Sequence, residues 1–358
     1  MCTLLCHADW PSARQRLADW WNGHDIGRAA AQFTVKRQTA HEELEALPEP
    51  EGWITHYSWQ DLDYRVNLAR RASLYVDHIA ESVPHAAAGD LGPGCLSLYL
   101  GCTGVEMPGT VWFEHCITDP AEARFDLDRD NFYWNFSLNA YRTTKPEATG
   151  RFLQQFPDLI EGLDTLAAMR GSMELLTDLL DRPDWVHSCL RQITDRYFYC
   201  YDVLYDIIRD DMGGSVFWAW GPGRMTKLQC DFSAMISPAL FAEFMGPVLT
   251  EMTERIPYNM YHLDGPEAIC HLETLLSIPG LQMIQWTPGA GEPFTDDPKW
   301  FPLYRRVLDA GKKLFLWATD LPRLQSLKQE FGTGCNQMML NMSFNSHDEA
   351  KEALAVLE

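Results

Sequence analysis

The chain has 358 residues, 46% of them hydrophobic and 22% charged, enough for one large packed domain or two ordinary ones. Fifty acidic residues against 29 basic ones give a formal net charge of −21, which repels phosphate backbones and argues against a nucleic-acid partner. No uninterrupted apolar run reaches the ~18 residues of a membrane span, Met1–Trp10 lacks the basic-then-apolar pattern of a secretory signal, and ten cysteines without CxxC pairs fit reduced thiols, so a cytoplasmic protein is expected.

Residues 11–28 carry an amphipathic helix, with Leu17, Trp20 and Trp21 at helical spacing and Gly23 as a stop. Together with the Pro-rich stretch 40–60 and a strand at Gln32–Lys36, they read as an N-terminal extension over residues 1–60. A helix is predicted over 61–82 and a strand over Pro84–Ala88, followed by a turn-rich loop whose glycines lack the spacing of a phosphate cradle. Residues 95–120, with Glu106 and Trp112 among glycines and prolines, read as an irregular segment able to fold over a pocket. Further helices are predicted at 130–149, 173–181 and 183–211, and a strand at Gly150–Gln155.

From residue 213 onward the pattern alternates strictly between strand and helix. Residues 213–220 alternate large side chains as a strand does, and 221–231 reads as the loop after it. Ser237-Pro238 opens a helix, with a hydroxyl cap and a first-turn proline. Tyr258–Tyr261 and Leu281–Trp286 are short apolar-aromatic strands, each ending in a polar loop: His262-Leu263-Asp264-Gly265-Pro266 after the first, Thr287-Pro288-Gly289 after the second. Lys312–Trp317 and Gln337–Met342 complete the set, and Ser346 to Glu349 has capping-box spacing for the closing helix. Eight strands each followed by a helix predict a single-domain (β/α)8 TIM barrel, with an open doubly wound sheet as the other arrangement.

Function in such folds sits at the carboxyl ends of the strands. His262 and Asp264 are two apart at such an end, so strand alternation aims both side chains to one side. An imidazole and a carboxylate converging there can bind a metal or share a proton. Asp264, preceding Gly265-Pro266, also suits a helix cap. Trp218, Trp220, Trp286 and Trp317 fall near strand ends and suggest an aromatic-walled pocket. Arg224 and Glu106 are loop candidates for contacting a polar substrate, and Asn345 closes the last strand.

Cys230-Asp231 through Ser237-Pro238 with Phe241 and Pro247, and then Tyr261-His262-Leu263-Asp264-Gly265, resemble the uroporphyrinogen decarboxylase-like superfamily, nearest its branch of zinc-dependent corrinoid methyltransferases. The resemblance implies a TIM barrel with a deep site at the carboxyl end. The decarboxylases' Arg-Gln-Ala-Gly-Arg run has only a partial echo in Lys36-Arg37-Gln38-Thr39, and their early Asp and late Gly-His-Gly motif are missing, so decarboxylation of a porphyrinogen is not expected. The methyltransferase branch binds zinc through His-x-Cys and a later cysteine. His262 matches the first ligand, Asp264 stands in place of the cysteine, and Cys335 precedes the last strand. Cys230, in the loop beside His262, offers a substitute thiolate, with Asp231 as an acceptor that orients the histidine. The resemblance therefore implies zinc-assisted methyl transfer between a methylated donor or a corrinoid carried by a partner protein and a thiol or corrinoid acceptor. Two other functions fit the same residues: a metal-independent decarboxylase or lyase acting on a small carboxylated substrate through His262 and Asp264, and a non-catalytic barrel that binds a corrinoid or tetrapyrrole.

Overall fold

A computed structural model describes residues 3–50, 59–107 and 110–358 of the chain. Trp10, Ala13, Arg14, Leu17, Trp20 and Trp21 recur at helical spacing, are all buried, and build α1 (Trp10–Trp21). After it come β1 (Ala30–Lys36), α2 (Trp59–Arg71) and β2 (Val76–Ala80), which runs antiparallel to β1. The helix expected over 61–82 thus stops at Arg71, and its last residues become an edge strand. Glu81 pins that strand's end. Its buried carboxylate accepts from Arg16 and Arg28 at 2.6 Å each and from the Ala31 N–H at 2.8 Å, tying α1 to the sheet. Residues 51–58 of the Pro-rich stretch lie outside the described residues.

The middle of the chain holds β3 (His85–Ala86), α3 (Cys95–Tyr99), β4 (Thr103–Met107), β5 (Thr110–Glu114), α4 (Phe132–Ala148), β6 (Leu153–Gln154), α5 (Gly162–Arg170), α6 (Ser172–Asp181) and α7 (Pro183–Ile208). Strands β4 and β5 form an antiparallel hairpin inside the stretch expected to be irregular. Strand β3 pairs β6 in parallel, and Gln155 bridges Val216 in parallel, so these short pieces continue side by side.

Next come β7 (Ser215–Phe217) and β8 (Ala219–Gly221), an antiparallel pair that doubles back at Trp218, whose φ is 54°. The strand expected over 213–220 therefore reverses, and the stretch expected as its loop contains the next parallel strand, β9 (Met225–Gln229). The remaining elements are α8 (Pro238–Arg255), β10 (Tyr258–Asp264), α9 (Leu272–Ser277), β11 (Met283–Thr287), α10 (Phe301–Asp309), β12 (Lys313–Trp317), α11 (Leu321–Phe331), β13 (Met338–Phe344) and α12 (His347–Leu357). The main sheet has seven strands in the order β2-β1-β13-β12-β11-β10-β9, parallel except for β2. This is a mixed α/β fold whose parallel sheet and flanking helices are consistent with an α/β barrel.

The two faces of the sheet bury different things. Tyr261, Leu263, Ile284, Trp286, Leu314, Leu316 and Leu340 point towards the helices and join the large core. Met225, Met260, Met283, Phe315 and Met339 point the other way, near the strands' starts, and cluster with Trp10, Trp20 and Trp21. Helix α1 thus covers the amino end of the sheet's inner face. Among the described residues, no helix is long and apolar enough to cross a membrane.

Candidate metal centre

Strand alternation builds the site directly. On β10, Met260, His262 and Asp264 share the inner face, while Tyr261 and Leu263 enter the helix-facing core. Strand β9 contributes Lys227 and Gln229 on the same parity, and Asp231 follows two residues on. The register sets His262 opposite Gln229 on one side and Gln285 on the other. Asp231, His262 and Asp264 each offer a ligand atom, and these atoms all lie within 4.8 Å of one another. His262 Nε2 is 3.9 Å from Asp264 Oδ2.

Neighbouring groups fix each of the three. The His262 Nδ1–H donates to Gln285 Oε1, and the Gln285 amide is held the right way round by its own donation to Thr287 Oγ1 at 2.9 Å. That bond assigns the proton to Nδ1 and leaves the Nε2 lone pair free. Asp164, from α5, accepts the backbone N–H groups of Asp231 and Phe232 at 2.8 Å each and so shapes the turn that carries Asp231. The Asp231 carboxylate accepts from Gln229 Nε2 at 3.1 Å. Gln229 Oε1 in turn accepts from buried Lys227, whose ammonium pairs with Asp158 at 2.6 Å.

Asp231 opens to solvent at the mouth but has protein on most sides. Burial and the nearby Asp164 charge push its pKa up to about 7, against the pull of Lys227. Burial, then the Lys227 charge, lowers the pKa of His262, so the imidazole is held neutral. Burial also raises Glu161 to about 8, and its Oε1 accepts the Gln229 N–H at 3.0 Å. Acidic groups are crowded here, and Lys227 among them is engaged with Asp158.

The aromatic wall forms in part. Trp218 sits edge-on to His262 (ring centroids 5.5 Å apart) and to Trp317 (5.8 Å). A cavity of about 450 Å³ lies beside Asp231, bounded by Asp164, Gln229 and Phe232 and by Trp112, Phe113 and His115 of the hairpin segment.

Other expected site residues lie elsewhere. Cys230 points away from the cluster into the helix-facing core, because it is out of step with Gln229 and Asp231; the group that converges with His262 and Asp264 is Asp231. Trp286 is likewise turned outward, fully buried, with its ring 4.9 Å from Trp300. Trp220 is at the opposite end of the sheet, edge-on to Trp10 at 6.0 Å and donating to Asp210 at 2.9 Å. Arg224 precedes β9 and so sits at the strand's starting end, paired with Asp202 and lying over the Tyr201 ring at 4.7 Å. Asn345 follows β13 at the same end as Asp264; its N–H donates to Glu349 at 3.0 Å within the capping box of α12. Glu106 is on β4, and its side chain lies outside the described residues.

No protein-family model and no curated protein matches the chain. Among solved structures it is similar to one described as a methyltransferase from Methanosarcina mazei, with a TM-score of 0.57 and 10% sequence identity over 96% of each chain. At that identity the likeness establishes a shared fold along the whole chain, and the chemistry has to be argued from the residues.

Proposed function

We propose that the protein is a methyltransferase on a closed, single-domain (β/α)8 barrel, in which Asp231, His262 and Asp264 hold a divalent metal, zinc by preference. The observation that carries this reading is the convergence of those three ligand atoms within 4.8 Å, with the free nitrogen of His262 among them. One imidazole and two carboxylates make an acceptable zinc set with a position left open. The crowding that raises Asp231 is the electrostatic condition a cation relieves. The methyltransferase described from Methanosarcina mazei, alike along the whole chain, supports the choice of reaction.

When bound, zinc would hold an acceptor thiol as its thiolate and so raise its nucleophilicity. The chain's own residues do the rest. Gln285 orients His262, Asp164 positions the turn bearing Asp231, and Trp218 and Trp317 present apolar surface that keeps water from the reacting sulfur. The methyl donor in this reading is a small methylated compound or a corrinoid carried by a partner protein, met in the cytoplasm.

Elemental analysis of protein purified without chelator tests the reading. We expect about one zinc per chain, lost in His262→Ala, Asp264→Asn and Asp231→Asn with the circular dichroism unchanged, and kept in Cys230→Ser. Methyl transfer from methylcobalamin to a thiol should follow the metal content. Stoichiometric zinc in His262→Ala rules out the site. Metal-free protein that turns over a small carboxylic acid points instead to proton transfer by His262 and Asp264.

A further inference from the structure

Cys102 and Cys116 flank the β4–β5 hairpin, one just before β4 and the other just after the strand's partner ends. Antiparallel pairing sets Thr103 opposite Glu114, so the residues just outside the ladder are brought together. The two sulfurs are 3.7 Å apart, and Cys102 Sγ also lies 3.5 Å from the Ala168 carbonyl. Both backbones are anchored: Cys102 donates to the Ser97 carbonyl at 3.0 Å, and Cys116 and Ile117 donate to the Met169 carbonyl at 2.9 and 2.8 Å. Closing to a bond length of about 2.05 Å therefore needs side-chain rotation while the backbone stays in place. The pair is asymmetric, since Cys116 is exposed and Cys102 buried. The sulfur–sulfur contact holds the Cys116 thiol below its ordinary pKa, while the same contact and burial raise Cys102. The other exposed thiol among the described residues, Cys270, bonds instead to the Glu267 carbonyl at 3.1 Å and to His271 at 3.4 Å.

We propose that Cys102 and Cys116 are a redox-active pair that forms a reversible disulfide and staples the base of the β4–β5 hairpin. The co-reactant is a small disulfide such as glutathione disulfide. The Cys116 thiolate attacks one sulfur of it, forming a mixed disulfide and expelling a glutathione thiolate. Cys102 gives up its proton to that thiolate, attacks the Cys116 sulfur and expels the second glutathione, which takes a proton from solvent. The two cysteines lose two electrons, and one glutathione disulfide becomes two thiols. The attacking residue is the exposed one and the resolving residue is the buried one behind it, which is the order the chemistry requires. Trp112, Phe113 and His115 line the cavity that reaches Asp231, so the staple fixes one wall of that cavity. The inference stands on the thiol pair alone and is independent of the reaction assigned to the site.

The test equilibrates the full-length chain in glutathione buffers from reducing to oxidising, traps free thiols with an alkylating agent, and maps peptides by mass. We expect a Cys102–Cys116 link, seen as the loss of two hydrogens, that reverses in reduced glutathione. Cys102→Ser should accumulate a glutathione adduct on Cys116 that the wild type does not keep. Cys116→Ser should leave Cys102 reduced throughout. The proposal is overturned if both thiols remain alkylatable in oxidising buffer, or if the wild type retains the Cys116 adduct as stably as Cys102→Ser does.

Discussion

His262 and Gln285 are partners across two adjacent parallel strands, and the donation from Nδ1 to Oε1 decides which nitrogen of the ring faces Asp264. A metal-binding histidine depends on such a partner for its tautomer and orientation. Gln285→Leu should keep the fold, because the position is buried, but lower zinc affinity about 10–100-fold. Competition against a fluorescent chelator measures this, and unchanged affinity would show that the bond does not orient the ring.

Asp164 accepts the backbone N–H groups of Asp231 and Phe232, with a longer bond from Gln229 Nε2 at 3.4 Å, and its charge acts on Asp231. Asp164→Ala leaves two N–H groups without their acceptor, at a cost of about 1–3 kcal/mol in stability. The turn bearing Asp231 then loosens, and metal content should fall although no ligand has been changed. Chemical denaturation and metal analysis on the same preparation separate the two effects.

Glu81 contributes stability that acid removes. Burial alone would raise its pKa, but the Arg28 and Arg16 bonds and the Ala31 N–H outweigh burial, and the net shift is downward. A depressed folded pKa means the contribution is present above the unfolded value, about 4.3, and is lost as pH falls through the folded one. Glu81→Gln should destabilise the protein by about 3–5 kcal/mol near neutrality, because two arginines lose their buried counter-charge. Its melting temperature should also vary less with pH than the wild type's between about 5 and 3.

Trp220 tests the closed end. Trp220→Ala removes a buried ring packed on Trp10 and should cost about 3–5 kcal/mol. Zinc per folded chain should not change, since His262 is at the other end of the strands. Loss of metal from folded Trp220→Ala would contradict this placement.

The carboxyl-terminal strands were legible because their helix-facing residues, such as Tyr261, Leu263, Ile284, Trp286, Leu314 and Leu316, are apolar runs with polar loops behind them. Strand β9 was not, because its inner face carries Lys227 and Gln229, and a buried lysine in so short a run reads as loop. Its signal was there in the parity of Lys227, Gln229 and Asp231, which also places Cys230 on the other face. The hairpin at Trp218 hid behind large alternating side chains that favour an unbroken strand, and only its left-handed φ of 54° marks the reversal. His262 and Asp264 were legible from their two-residue spacing. Asp164 and Gln285 were not, because their bonds to Asp231 and His262 join positions far apart in the chain and exist only once the sheet is assembled.

Helix α1, set across the amino end of the sheet's inner face by Trp10, Trp20 and Trp21, puts a floor under that face. At the carboxyl end, the cavity beside Asp231 lies under the wall made by Trp112, Phe113 and His115. In the proposed methyl transfer, two reactants would have to share that approach in turn, unless the second were large enough to sit over the rim and reach in.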